Sequence, residues 1–370
     1  MDNKYTSDIL IIGGGLAGLS MAILCTDAGM STRLIEKQTY PKHKVCGEYL
    51  SIESVPFLQR IGIDLEAMVL PQINHFVLTS SKTSMNCDLS SSGVGISRYI
   101  LDHIMYQKAL EKGVDVITSS RVTHIDSGAQ SSTVQTHDGK TYTARQIIGG
   151  YGRISGLSTQ NLSSKDTFLG IKYHVANGPE GNTIEIHNFD GGYCGISAIE
   201  DDKYCMCYLV KAEKLKAYKG DIEMLEKEVL AQNPYLKHRL DTQKLVGPIS
   251  TAHFNFGTID TRTLQYPLLG DAAGFIPPIT GNGMSLALRS AQVLFTNFVQ
   301  QKDGSFQDRW LQANKMYIRQ YLRHRINQGI FLQNILLTES PFVKNTLMWS
   351  IKSIPGVMPL LTKQAVGKAF

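Results

Sequence analysis

Cysteine and tryptophan are scarce in this chain of 370 residues, with six of the first and two of the second. The cysteines (Cys25, Cys46, Cys87, Cys194, Cys205 and Cys207) are scattered and form no C-x-x-C pair, which excludes a disulfide framework and fits reduced thiols. Charge is thin as well. Asp, Glu, Lys and Arg make up 19% of the chain, below the roughly 25% of an average domain, so neither a disordered polyelectrolyte nor a charge-laced coiled coil is expected. No 18 consecutive apolar residues occur, because Lys344, Lys352, Pro355 and Lys363 interrupt the apolar carboxyl-terminal stretches, and no membrane span is expected. Met1 to Ser7 carries no basic region followed by an apolar stretch, so no secretory signal is expected and the cytoplasm is the expected location. A net charge of +5 gives little ground for nucleic-acid binding, and none is expected. The sequence carries no pattern of a metal site, a serine triad or a phosphoryl-transfer loop.

What the chain has is a 42% apolar content and 33 glycines, enough for two domains or one large domain with an insertion. Asp8 to Ile12 is a β-branched run that reads as a buried strand and leads into Gly13-Gly14-Gly15-Leu16-Ala17-Gly18. A helix is expected from Leu16 to Ala28, ended by Gly29, and a second strand from Ser31 to Ile35, followed by Glu36 and Lys37. This βαβ unit carries the glycine pattern of a dinucleotide site. Gly13 makes the tight turn, Gly15 lets a pyrophosphate approach, and Gly18 lets the helix pack closely on the strand. Glu36, at the strand end, is placed to accept ribose hydroxyls. The unit does not choose between NAD and FAD.

Far along the chain, Tyr266 to Gly270 reads as another short strand, followed by Asp271-Ala272-Ala273-Gly274, Pro277-Pro278 and Gly281-Asn282-Gly283-Met284, with a helix from Ser285 onward. A carboxylate after a strand and glycines at a helix start can hold a polar chain and an anionic ring. Asp271 is otherwise a helix cap. The segment resembles the GDAA-x-x-x-x-P-x-x-G-x-G stretch of the class A FAD-dependent monooxygenases of the p-hydroxybenzoate hydroxylase type, and of their relatives the geranylgeranyl reductases and flavin-dependent halogenases. Pro41 to Glu48 resembles the C-G-E block of the reductase branch, and Ser97 to Asp102 opens a helix that runs to Lys112. Four blocks in the family's order span about residues 5 to 300.

The resemblance implies FAD as cofactor. It implies that Asp271 meets the ribitol, that Gly281, Gly283 and Met284 lie at the negative edge of the flavin, and that Cys46 and Gly47 lie beside the ring. Arg98 becomes a pyrophosphate or ribitol contact, its alternative being a solvent-exposed salt bridge. Arg121 and Val122 lie where relatives contact adenine. The implied fold is α/β: a Rossmann-type FAD-binding domain (residues 1–75, 95–165 and 260–300), an inserted, mostly antiparallel substrate domain (76–94 and 166–259), and carboxyl-terminal helices (301–370).

Departures from the family narrow the reaction. A hairpin is expected at Thr133–Thr136 and Thr141–Ile148 around Asp138-Gly139, read as a type I′ turn. After it, Tyr151 of Gly149-Gly150-Tyr151-Gly152-Arg153-Ile154-Ser155 stands where relatives carry an aspartate that supports nicotinamide docking. Direct reduction by NADPH or NADH is therefore in question, and an external flavin reductase is the other source of electrons. The W-x-W-x-I-P signature of halogenases is missing, and of the Y-x-W-x-F-P stretch of the reductases only Tyr193 is kept.

Strands are expected at Leu169–His174, Thr183–Phe189, Tyr193–Ile199 and Tyr204–Val210, joined in a sheet by Phe76–Asp88 and Gly247–Asn255. His174, His187 and His253 are candidates to line a pocket, each with a structural alternative. Cys205 and Cys207 share a strand face and read as packing residues with no third ligand nearby. Residues 301–370 hold ten Lys or Arg against three Asp or Glu. Arg319, Arg323 and Arg325 stand beside an apolar pattern (Ile326, Ile330, Ile335) that continues through Leu347, Trp349, Ile351 and Val357. These helices pack on the FAD domain with solvated cations, or else lie against the inner membrane face.

The expected activity is an FAD-dependent monooxygenase that hydroxylates a hydrophobic or phenolic small molecule, with molecular oxygen delivered as a flavin hydroperoxide. The alternative is an FAD-dependent reductase saturating prenyl or polyene double bonds; a flavin-carrying subunit without turnover is the third. The residues alone do not identify a catalytic acid or base.

Overall fold

The computed structural model describes residues 7–128, 131–152, 157, 167–180, 182–260, 264–337 and 369–370. Arg153 to Ser155 and the run from Leu347 to Val357 lie outside them.

The β-branched start of the chain forms strand β1 (Ser7–Ile12), which pairs in parallel with β2 (Thr32–Ile35) on one side and β9 (Thr141–Gly149) on the other. Strand β6 (Asp115–Ile117) extends the parallel run beyond β2, while β7 (Val122–Ser127) and β8 (Ser132–Thr136) form an antiparallel meander into β9. Between β1 and β2 runs helix α1 (Leu16–Asp27), buried over nearly its whole length because α3 (Arg98–Glu111) and α7 (Gly283–Gln300) pack on it from the other side. Its composition, apolar almost all round, is what such enclosure requires.

Two expected features differ. The β8–β9 turn is not type I′: only Gly139 has a positive φ (79°), Gly139 N–H donates to the Thr136 carbonyl, and Thr136 N–H donates to Lys140. This is a three-residue loop with a type I turn and a glycine bulge. Tyr266 to Gly270 is not a strand but a single parallel bridge of Leu268 to Gly149. Pro267 lacks an N–H, and the far side of Leu268 is taken by a helix. The Asn314 side chain accepts from Leu268 N–H (3.1 Å) and donates to its carbonyl (2.7 Å), replacing a neighbouring strand.

The second sheet has eight strands. In spatial order they are β14 (Ser250–Phe254), β10 (Phe168–Val175), β13 (Lys203–Lys211), β12 (Gly192–Ile199), β11 (Thr183–Phe189), β4 (Gln72–Thr79), β5 (Ser84–Gly95) and β3 (Tyr49–Ser51). All pairs are antiparallel except β11 with β4. The sheet begins four residues before the expected position 76, and it takes in β3 from the segment assigned above to the cofactor domain. Asp201 and Asp202, both at positive φ, make the β12–β13 turn.

Alternation splits β10 between two faces. Leu169, Ile171, Tyr173 and Val175 pack under helices α4 (Ala212–Ala217), α5 (Ile222–Glu228) and α6 (Pro234–Thr242), while Phe168, Gly170, Lys172 and His174 point the other way, toward the cofactor domain. A short helix α2 (Val55–Arg60) follows β3, and β15 (Gly257–Thr258) pairs with β16 (Gly274–Phe275). Helices α8 (Phe306–Tyr317) and α9 (Arg323–Leu336), joined by a π turn, follow α7. Trp310 stacks on Phe298 of α7 at 3.9 Å, so this region packs on the cofactor domain, with Arg319 and Arg323 exposed. Among the described residues no helix is long and apolar enough to cross a membrane.

Candidate active site

The glycine turn is held by contacts that permit no side chain. Gly13 has φ 101°, and a Cβ on Gly18 would lie 2.0 Å from the Gly13 carbonyl oxygen. At Gly15 the place of the missing Cβ is open and faces Lys44 Nζ at 3.5 Å and Arg98 Nη2 at 3.8 Å. Two cations and the amino terminus of α1 thus converge on one small space, a cradle for a pyrophosphate. Leu16 and Ala17 begin the helix beneath it, both buried. Glu36 is 6% exposed, accepts from Gly14 N–H at 2.7 Å and pairs with Lys42 at 2.8 Å. Burial would raise its carboxyl, but Lys42 and two backbone N–H groups hold it below the usual carboxylate range. Lys37, beside it, points to solvent. Ser120 N–H donates to the Glu36 carbonyl, which brings the segment before buried Val122 alongside the end of β2.

The second glycine segment meets the first. A Cβ on Gly270 would lie 3.1 Å from that of Ala17, and Asp271 acts electrostatically on Arg98. Arg98 is not the exposed residue of its alternative reading. It is 7% exposed, anchored to buried Asp102 by two hydrogen bonds of 2.6 and 2.8 Å, and so kept charged. Gly281 has φ 65°, Gly283 faces open space, and buried Met284 begins α7. Between them Asn282 is 2% exposed, yet neither its Oδ1 nor its Nδ2 has a partner. A buried amide with both ends unsatisfied is costly unless a ligand completes it. The cradle at Gly15, the orphaned amide and two free helix starts fit a flavin dinucleotide, which these residues would hold.

Gly47 likewise faces open space, and Glu48, next in the chain, has φ 56° and is fully buried. Glu48 Oε1 accepts from Lys172 Nζ (2.7 Å) and from Arg98 N–H (2.9 Å), and Oε2 is 2.6 Å from His174 Nε2. Burial would raise Glu48, but the His174 hydrogen bond and the Lys172 charge hold it low. Burial would depress Lys172, but Glu48 keeps it high. Cys205 Sγ donates to the Cys46 carbonyl at 3.3 Å, and burial pushes the Cys46, Cys205 and Cys207 thiols up, so none is poised as a thiolate. A donor atom each from Glu48, His174 and Cys205 lies within 4.8 Å of the others, which corrects the expectation that no further ligand lies near the Cys205–Cys207 pair, although Cys207 is not part of the group. The fold brings position 48 across to β10 and β13, a contact no local spacing announces. At 2.6 Å the Glu48–His174 contact is a hydrogen bond, shorter than the roughly 3.3 Å between adjacent donors on a tetrahedral zinc ion.

Of the other histidines, His187 lies on the opposite sheet face, bound to Thr79 (2.8 Å) and Glu185 (3.0 Å), and His253 is exposed on the edge strand. Neither joins the site. Sequence reasoning missed Lys172 altogether and gave Glu48 no role. The signal available was Lys172-x-His174, two basic groups on one face of a strand.

Beyond Gly170 the same sheet face becomes aromatic. Phe168, Tyr193 and Leu209 meet Phe254, Phe256 and Phe275, with Phe254 stacked on Phe275 at 4.9 Å and Phe168 against Phe256 at 5.1 Å. Ile279 of the second glycine segment and Ile330 and Leu336 of α9 complete this wall. Tyr151 points away from it: its hydroxyl is 3.3 Å from that of Tyr266, and its ring packs against Gly149.

Residues 6–172 match the family described as FAD binding domain. The chain thus carries an FAD-binding domain of the kind found in FAD-binding oxidoreductases, consistent with the class A flavoprotein superfamily. This flavoprotein is 22% identical to conditioned medium factor receptor 1 of Dictyostelium discoideum over 84% of its length and 68% of the relative's. It is 22% identical to digeranylgeranylglycerophospholipid reductase of Methanococcus vannielii (86% and 85%) and 23% identical to ubiquinone hydroxylase UbiM of Neisseria meningitidis (98% and 85%). Its fold is that of a flavoprotein/dehydrogenase from Cytophaga hutchinsonii (TM-score 0.72, 19% identity, 97% and 98% covered) and of the flavin-dependent brominase Bmp2 (TM-score 0.69, 17% identity, 97% and 98% covered). Its relatives thus include a hydroxylase and a reductase, and its fold is found in halogenases.

Proposed function

We propose that this flavoprotein is an FAD-dependent monooxygenase that hydroxylates a hydrophobic or phenolic small molecule. The observation that carries the proposal is the aromatic wall, which joins the sheet face to the second glycine segment at Phe275 and Ile279. It would give an apolar substrate aromatic neighbours and a water-poor environment next to the ring-binding loops. FAD, when bound, supplies the redox chemistry. The chain's own residues hold it (Gly13, Gly15, Gly18, Glu36, Arg98 and Asp271 for its polar length; Cys46, Gly47, Gly281, Gly283 and Met284 about its ring), shield it, and keep Glu48 ionised beside a protonated Lys172.

The second reading is a reductase that saturates prenyl or polyene double bonds. The Glu48–Lys172–His174 cluster favours it, because adding hydrogen across a double bond needs a proton source as well as electrons. Electrons come from NADPH or NADH, and Tyr151, turned toward Tyr266, supports delivery through a separate flavin reductase. The exposed Arg319 and Arg323 leave residues 301–370 a peripheral membrane contact that would suit an apolar substrate.

Anaerobic reduction of the bound flavin with NADH and NADPH, with and without phenols and polyprenyl lipids, followed by admission of air, tests these readings. Product that forms only with oxygen supports hydroxylation. Product that forms without oxygen supports saturation and rejects the first reading. A folded protein that takes up no FAD rejects both.

A further inference from the structure

The buried cluster beside the ring-binding loop has an unused capacity for charge. With Lys172 protonated and Glu48 ionised, Glu48, Lys172 and a neutral His174 sum to zero. Gly247 and the backbone of Val246 lie against His174 from the segment before β14, and the titratable groups about it are the following. Glu48, Cys46 and His43 come from the 41–48 segment, Lys172 from its own strand, Cys205 and Cys207 from β13, and Arg98, neutralised by Asp102, from α3. Both carboxylate oxygens of Glu48 already accept hydrogen bonds, three in all once His174 donates from Nε2. A further proton therefore has one favourable place, Nδ1 of His174, which would give the cluster a charge of +1. Such a charge is costly in a buried site unless a negative charge arrives with it.

Resting on the FAD reading above, we propose that the cluster takes up one proton at His174 when the bound flavin gains its two electrons. The balance is simple. Two electrons and one proton from reductant and solvent go to the flavin, leaving it with one negative charge, and a second proton goes from solvent to His174. His43 lies between His174 and the surface. Its ring meets that of His174 edge-on with centroids 5.4 Å apart, and it stacks at 4.7 Å on Tyr99, which is 36% exposed. The Nδ1 of His43 is buried without a partner. Burial, and then the charge of Lys172, push His43 down, so it is not a place where a proton would rest. Reduction and protonation are then linked, each favouring the other by the same factor.

The experiment is an anaerobic redox titration of the yellow holoprotein at a series of pH values, with absorbance spectra of the reduced form. For a two-electron couple each proton taken up shifts the potential by about 29.6 mV per pH unit. Wild type should show a pH interval with a slope near ~59 mV per unit, two protons, while the reduced flavin spectrum stays that of the anion. That spectrum places the second proton on the protein. His174→Asn and His174→Gln should fall to about 30 mV per unit over that interval, a change that a merely structural role would not produce. In case neither variant folds, a pH-indicator dye in unbuffered solution gives the count from wild type alone: two protons per flavin photoreduced, with an anionic spectrum. A wild-type slope near ~30 mV wherever the reduced flavin is anionic, or an unchanged slope in the folded variants, overturns the inference and leaves the flavoprotein reading standing. A protein that binds no FAD overturns both.

Discussion

Replacing Glu48 with glutamine preserves the shape of the side chain and removes its charge. Lys172 is fully buried, and the carboxylate at 2.7 Å is the anion that its ammonium meets. Neutralising one member of a buried pair is destabilising by about 3–5 kcal/mol, a large part of the roughly 5–15 kcal/mol that holds a protein folded. The deficit should also depend on pH. In the native protein burial would depress Lys172, but Glu48 holds it above its ordinary range, so its contribution is present below about 10.4, the unfolded lysine value, and is lost only as pH rises through the higher folded value. In E48Q burial acts alone, the folded value drops below the unfolded one, and stability rises with pH between the two. Urea unfolding should find E48Q at least ~3 kcal/mol weaker than wild type at about pH 7, with part of the loss regained by about pH 9.5. The double variant E48Q/K172M, with no buried charge left to strand, should recover most of the loss at the lower pH. A deficit below about 1 kcal/mol in E48Q, or the same deficit at both pH values, refutes this account.

Gly18→Ala places a Cβ 2.0 Å from the Gly13 carbonyl, a clash of backbone with backbone, so the purified variant should be largely colourless, whereas Gly283→Ala, with nothing within 4 Å, should fold normally and lose FAD affinity only if the flavin fills that space. Equilibrium dialysis against FAD compares the two. Asn314→Leu leaves the N–H and carbonyl of Leu268 unsatisfied, for a loss of roughly 2–5 kcal/mol in urea unfolding, whereas Asn297→Ala, which removes one partly buried bond of 3.4 Å, should lose less than about 1 kcal/mol. Glu36 and Glu48 are held below their unfolded value and Glu185 is held at about 2, so their stabilisation is complete above about pH 5 and drains away as pH falls through the folded values. Acid unfolding followed by circular dichroism should begin at higher pH in Lys42→Met than in wild type.

The cofactor half was legible because its signals are local. A β-branched run, glycines in register and an acid at a strand end follow one another within thirty residues, and each follows from backbone geometry rather than from distant contacts. Most of the eight-stranded sheet was legible in its strand-forming runs, but the single expected segment 76–88 is two strands, β4 and β5, and β3 was not foreseen. What escaped was held by long-range pairing. Leu268 lost its expected strand because Asn314, on a helix far along the chain, took over both hydrogen bonds. Helices α4 to α6 went unread, since their short apolar stripes gain meaning only against Leu169, Ile171 and Tyr173. His187 and His253 were indistinguishable from His174 until the sheet's faces and edges were known. Glu48 and Lys172, 124 positions apart, carry no pattern that joins them.

The seating of α9 bears on how this protein can be cut. Gly329 rests so closely on the second glycine segment that a Cβ would stand 3.0 Å from both Ile276 and Pro277. Asn314 braces the approach to Asp271 from the neighbouring helix. A fragment trimmed after α7 would keep every glycine of the recognition motifs yet lose the braces that set their spacing. A truncation that removes α9 therefore removes part of the site's support, and any pull on α9 from outside will be felt where the coenzyme's ring is cradled.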